Sequence, residues 1–182
     1  AVGPPWGGAF ASWWCQARRL GQSGVPFAQL FDWGWDTHGS RKIDDLMHQL
    51  PKRCKEADQP VMALVKDLKA GGLLAETLLV WGGEFGRLPI AQLSADKDEK
   101  KSGRDHNKNA ACCWFAGGGV KGGTTYGSTD EIGLAAAENR VSVPDGPATI
   151  LHRLGFDHEQ PFLDHHGPRE KLRVLSAYID LS

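Results

Sequence analysis

The stretch 77-TLLVWGGEFGR-87 sets an apolar, partly β-branched run directly before a glutamate and an arginine. A short apolar run closed by glycines reads as a buried strand. Its end then delivers Glu84 and Arg87. A second run of the same character, 110-AACCWFAG-117, leads into the glycine-rich segment 117-GGGVKGGTTYG-127. Upstream, 27-FAQLF-31 lies between Pro26 and the Asp32–Gly34 turn and reads as another buried strand, ending at 33-WGWDTHGS-40. Helical periodicity fills the intervals. Residues 8–22 place Phe10, Trp13, Trp14 and Leu20 on one side, with Gly24 and Pro26 as a stop. From Ile43 to Lys69 the pattern predicts a helix in two pieces parted at Gln59-Pro60, with Val61, Leu64, Val65 and Leu68 as the stripe of the second and Gly71-Gly72 as its end. Between Pro89 and Lys108 the chain is polar, lysine-rich and aperiodic. Two helices are predicted after the third strand. One is 145-DGPATILHRLG-155, with Asp145 as N-cap and Pro147 in the first turn, and the other is 170-EKLRVLSAYIDL-181. This alternation predicts an α/β protein with a largely parallel sheet flanked by helices. Neither a repeat nor a linker divides it, so residues 1–182 read as a single α/β domain.

The bulk numbers narrow the function classes. With 182 residues and 41% hydrophobic content, the chain can bury a sizeable core. A net charge of −1, from 21 Lys+Arg against 22 Asp+Glu, argues against a protein that coats nucleic acid. Nothing approaches the apolar length of a membrane span. The opening AVGPPWGG carries neither a start Met nor a basic-then-apolar leader, and is expected to be the interior of a longer polypeptide. Cys15, Cys54, Cys112 and Cys113 form no C-x-x-C pair, which disfavours a structural zinc ribbon or a thioredoxin-like site. The vicinal Cys112-Cys113 pair reads as small apolar core residues.

In open α/β sheets, ligands bind beyond the carboxyl ends of the strands. After the first predicted strand come Asp36 and His38. After the second come Glu84 and Arg87, and in the loop beyond lies 103-GRDHN-107 with Asp105 and His106. Imidazole with carboxylate is ligand chemistry suited to zinc, manganese or iron. Such an ion polarises a phosphoryl or sulfuryl oxygen or acidifies a bound water, while an arginine fork holds an anionic ester. Alone, Asp36-x-His38 reads more readily as a turn than as a ligand pair, Glu84-to-Arg87 as a surface ion pair, and Asp105-His106 as a solvated loop. Their common position after strands favours one shared site. Gly117, Gly119 and Gly122 satisfy G-x-G-x-x-G, with Glu138 at a ribose-binding distance in sequence, but 122-GGTTYGSTD-130 has turn and strand composition where the dinucleotide fingerprint opens a helix. A tight glycine-rich turn is the expectation there. His48 and His152 fall on predicted helices. The clusters 157-DHE-159 and 164-DHHG-167 follow a helix, and rank below the strand-end set.

Five ordered motifs, WDTHG, LLVWGGEFGRLP, GRDHN, WFAGGGVKGGTTYGSTDEIG and PATILHRLGFDHE, resemble the C-terminal half of the bacterial domain-of-unknown-function 1501 family, over about Gly7 to Pro161. The resemblance extends to the alkaline-phosphatase/sulfatase-like superfamily. It implies an alkaline-phosphatase-like core, present here as a partial domain, and divalent metal of the zinc, calcium or manganese class at the strand ends. On that pattern Asp36 and His38 match one ligand pair, His106 a later histidine ligand, and Glu84 the acid of an Asp-His pair. Phe85 stands where a second-metal histidine is expected, and the nucleophile is expected upstream of Ala1. Asp36-x-His38 is also a tighter spacing than the superfamily pattern, so a single-metal site is expected as readily as a two-metal one. The stretch 162-FLDHHGPREKL-172 departs from the pattern and carries nothing over. The implied function is metal-dependent hydrolysis of phosphate or sulfate esters, with Asp36, His38, Glu84 and His106 on metal and with Arg87 and Glu84 serving catalysis. The substrate is a small-molecule or glycan anionic ester, and the family's habit implies a periplasmic or exported protein. The alternative expectation is a non-catalytic or degenerate domain that binds an anionic glycan.

Overall fold

The computed structural model describes residues 9–39, 44–94, 101–157, 161–162, 170–171, 179 and 181. Helix α1 (Ala9–Gln22) packs on α2 (Leu46–Ala70). Their shared face is small and apolar, with Ala11 on α1 and Ala57, Leu64 and Leu68 on α2 all buried. Arg18 reaches across to Asp67 at the rim. α2 begins at Asp45, a fully buried N-cap whose carboxylate accepts the His48 N–H at 2.7 Å. Burial pushes the Asp45 pKa up, but the hydrogen bonds from His48 outweigh it and leave it lowered.

The expected break at Gln59-Pro60 is absent, and α2 is one helix of 25 residues with Pro51 and Pro60 inside it. A proline in a helix interior removes an i→i−4 bond at about 3 kcal/mol or more. Ala57, Leu64 and Leu68 keep one helical face across Pro60, and burying that face on α1 offsets the lost bond.

Strand β1 (Leu79–Gly82) pairs with β4 (Cys113–Ala116), opposing Trp81 to Trp114. Trp81 stacks on Trp114 at 6.5 Å and on Trp14 of α1 at 6.3 Å, and takes the edge of Trp35 at 6.0 Å. These separations lie in the range where aromatic pairs attract beyond simple burial. Trp81 therefore joins the helix pair, the strand pair and the segment carrying Asp36. Four short strands complete the site and its surroundings: β2 (Gly86–Arg87) with β3 (His106–Asn107), and β5 (Ser128–Thr129) with β6 (Ala136–Glu138). Helix α3 (Asp145–Arg153) follows, then the pair β7 (Pro161–Phe162) and β8 (Glu170–Lys171).

The chain is thus mixed α/β, but every ladder among the described residues is antiparallel and two-stranded. The expectation of a largely parallel sheet is corrected to this extent. A parallel pair needs a crossover, normally a helix, and the chain between β1 and β4 contains none among its described residues. Strand β4 therefore returns beside β1 in the opposite direction. The predicted strand at 27–31 joins no ladder, and Phe27 and Phe31 are 66% and 64% exposed. An apolar run becomes a strand only where a partner takes its backbone hydrogen bonds. Cys112 and Cys113 are likewise exposed rather than in the core, since β4 has a single neighbour. At α3, Pro144 is the N-cap and Asp145 is the first helical residue, its carboxylate accepting from Ser142 N. Most of 170–181, and His158, Glu159 and 164–167, lie outside the described residues. No helix among those described is long and apolar enough to cross a membrane.

Candidate metal centre

Asp36 and His38 sit in the irregular segment after Trp35. The Thr37 N–H donates to Trp35 O at 3.1 Å, a three-residue turn centred on Asp36. Thr37 is buried, while Asp36 and His38 turn toward each other on the open side. Two anchors fix this turn. The Asp44 carboxylate accepts from His38 N at 3.1 Å, and Arg104 N donates to Thr37 O at 3.0 Å. Glycines permit the close docking. A Cβ on Gly103 would lie 2.1 Å from the His38 carbonyl carbon, and one on Gly39 would lie 2.2 Å from Gly103 N. No side chain fits between the two segments.

His106 arrives from β3, opposite Arg87 on β2. Asn107 is buried beside it, with its amide donating to Leu134 O at 2.9 Å, which ties the strand to the following loop. The convergence is tight. Asp36 Oδ1 lies 2.9 Å from His38 Nε2 and 2.8 Å from His106 Nε2, and the two Nε2 atoms are 3.2 Å apart. An ion bound at about 2.0–2.2 Å separates neighbouring ligand atoms by about 3.0 Å in an octahedral shell and about 3.4 Å in a tetrahedral one. Three atoms at 2.8–3.2 Å would match one face of an octahedral shell. The donor set suits a divalent ion, and these three residues form a possible metal-binding group.

Electrostatics agree with the geometry. Hydrogen bonds from His106 and Arg87 hold the Asp36 carboxyl far below the usual carboxylate range. Arg87 Nη2 lies 2.7 Å from the same Oδ1, and the guanidinium also donates to Trp35 O and Arg104 O. The His38 pKa is raised, chiefly by the hydrogen bond from its Nδ1 to Gln92 Oε1 at 2.9 Å, with burial opposing and Asp36 assisting. Both His38 nitrogens face acceptor oxygens, Gln92 Oε1 at Nδ1 and the Asp36 carboxylate at Nε2.

The structure brings together Asp36, His38, His106 and Arg87. Glu84 is exposed in the bend between β1 and β2, outside the three-residue group. Phe85 stacks on His106 with ring centroids 5.0 Å apart, forming a wall of the site where a histidine was expected. Asp105 Oδ1 accepts from His106 N at 2.8 Å and stands 3.6 Å from His38 Nδ1. Gln92 was missed by sequence reading, since nothing in the aperiodic 89–108 stretch distinguishes it. Elsewhere, Gly117, Gly118 and Gly119 all adopt positive φ, and no helix opens at Gly122, as the turn reading expected. His48 is engaged by the N-cap Asp45.

The fold and site define an α/β protein with short antiparallel strand pairs and a two-histidine, one-carboxylate cluster. The chain belongs to the family described as "Protein of unknown function (DUF1501)", whose family model matches residues 4–179. No curated protein and no solved structure matches it.

Proposed function

We propose that Asp36, His38 and His106 hold a divalent metal ion, and that the protein hydrolyses phosphate or sulfate esters. The observation that carries this reading is the convergence of one carboxylate oxygen and two imidazole nitrogens within 3.2 Å of one another. When bound, the ion supplies Lewis acidity toward an ester oxygen or lowers the pKa of a water. The chain's own residues would do the rest. Asp36 and the two imidazoles orient the centre, and Phe85 shields one side of His106. Arg87, now held by Asp36, is the nearest fork able to turn toward an anionic ester once a cation shares the Asp36 charge. Glu84 is the exposed carboxylate assigned to proton transfer at the same strand end. The likeness of the five motifs to the domain-of-unknown-function 1501 family, and the alkaline-phosphatase/sulfatase-like superfamily that this resemblance implies, support this chemistry. With it come the proposals of an alkaline-phosphatase-like core, a small-molecule or glycan ester substrate, no nucleic-acid partner, and export.

The test is metal analysis of purified protein together with turnover of an aryl phosphate and an aryl sulfate. Near-stoichiometric metal in the wild type, lost in His38→Ala and His106→Ala, with turnover lost in parallel, is expected. Equal metal in all three proteins would sink the site. A second reading, a degenerate domain that binds an anionic glycan, is favoured by Phe85 at the expected histidine position and by Glu84 standing apart. Metal binding and glycan retention without turnover would select it.

A further inference from the structure

Gln92 lies between β2 and β3, in the stretch without periodicity. Its backbone forms a bridge with Gly103: Gln92 N donates to Gly103 O at 2.8 Å, and Gly103 N donates to Gln92 O at 2.9 Å. Gly103 in turn is the residue pressed against the His38 backbone, so close that a Cβ there would meet the His38 carbonyl carbon at 2.1 Å. One bridge therefore fixes both the backbone contact to His38 and the origin of the Gln92 side chain. From there Oε1 reaches His38 Nδ1 at 2.9 Å. An amide oxygen only accepts, so Nδ1 must carry the hydrogen. Asp105 Oδ1, 3.6 Å from the same nitrogen, acts in the same direction.

We infer that Gln92 is a positioning residue that sets the Nδ1–H form of His38 and so aims the Nε2 lone pair at the metal position. The role in metal binding rests on the reading proposed above; the tautomer itself does not. Imidazole ligands regularly donate their second N–H to an oxygen, which fixes the ring and raises its basicity, and losing such a partner lowers metal affinity about 10- to 100-fold. Gln92 is exposed, so substitution leaves the helix core untouched.

Two measurements on the full chain test this. The first is the imidazole ¹⁵N spectrum of metal-free protein at alkaline pH, with His38 assigned through His38→Gln. The second is Zn²⁺ affinity by competition with a chromophoric chelator, for the wild type, Gln92→Leu and Gln92→Glu. The wild type is expected to show Nδ1–H at His38. Gln92→Leu should lose that preference and bind zinc about 10- to 100-fold more weakly, whereas Gln92→Glu, which keeps an acceptor, retains both. An Nε2–H tautomer in the wild type would overturn the inference, because it would mean that the Asp36 carboxylate, 2.9 Å from Nε2, and not Gln92 sets where the hydrogen sits. So would a Gln92→Leu affinity equal to that of the wild type. A wild type that shows the Gln92-dependent tautomer but binds no zinc would sustain the positioning of His38 and overturn the metal reading alone.

Discussion

Two antiparallel pairs flank Glu84, and they are built on opposite principles. The β1–β4 pair is four residues long and aromatic, with Trp81 against Trp114 at its centre and Trp14 and Trp35 packed around it. The β2–β3 pair is two residues long and polar, with Arg87 against His106. The first is held by contact among large rings. The second has almost no apolar surface of its own and is held by backbone contacts: Leu88 N to Asp105 O, the Gln92–Gly103 bridge, and Arg104 N to Thr37 O. A strand pair that carries chemistry keeps polar side chains exposed, so its neighbours must supply the order. One pair is a scaffold and the other is a mount.

Substitutions separate the two roles. The largest effect is expected from Gly103→Val, because its Cβ would overlap the His38 backbone. Zinc binding should disappear, read by equilibrium dialysis, while the helical circular dichroism signal of α1 and α2 persists. Loss of the helical signal as well would show that mount and scaffold are one unit. Trp81→Ala comes next and attacks the other side. Removing a large packed ring costs about 3–5 kcal/mol in a core, and Trp81 is only half-buried, so about 3 kcal/mol is expected in urea unfolding. Zinc affinity measured well below the new unfolding midpoint should fall far less than in Gly103→Val. A comparable fall would mean that the Trp35–Trp81 contact, not the loop docking, positions Asp36.

The smallest expected effect is on pH dependence in metal-free protein. Asp36 has its folded pKa depressed below 3.8, so its contribution to stability is present above about pH 3.8 and is lost as pH falls toward the folded value. His38 has its folded pKa raised above 6.5, so its contribution is present below about pH 6.5 and is lost as pH rises through the folded value. Thermal melts in chelator should therefore show the cluster stabilising most between these limits. Asp36→Asn should flatten the acid flank and reduce the alkaline one only in part, because Gln92 is the chief cause of the His38 shift, and the change should be slight because the groups are largely solvated. A profile unchanged by Asp36→Asn would remove the cluster from the protein's pH response.

Much of this is legible in the sequence. The apolar side of residues 8–22 announces a helix through its periodicity, and the runs 77–83 and 110–117 announce strands as short apolar stretches closed by glycines. Asp36, His38 and His106 stand out because metal-capable side chains follow turn-forming residues at predicted strand ends. Proline at position 60 misled, since local propensity cannot register that Ala57, Leu64 and Leu68 share a buried face across it. Phe27 and Phe31 misled in the other direction, since an apolar run carries no record of whether a partner strand lies beside it.

What the sequence by itself determined is the inventory: helices where periodicity and stops agree, two aromatic-bearing strands, and a set of metal-capable side chains, Asp36, His38, Glu84 and His106. What only the tertiary structure decided is direction and company. The strands pair antiparallel, α2 runs unbroken through its prolines, Arg87 rests on Asp36, and Gln92 meets His38 across 54 positions of chain. The physical reason is range. Periodicity, caps and turns are set by neighbours within a few residues, whereas the partner of a hydrogen bond or an imidazole is chosen by packing between segments that the sequence keeps far apart.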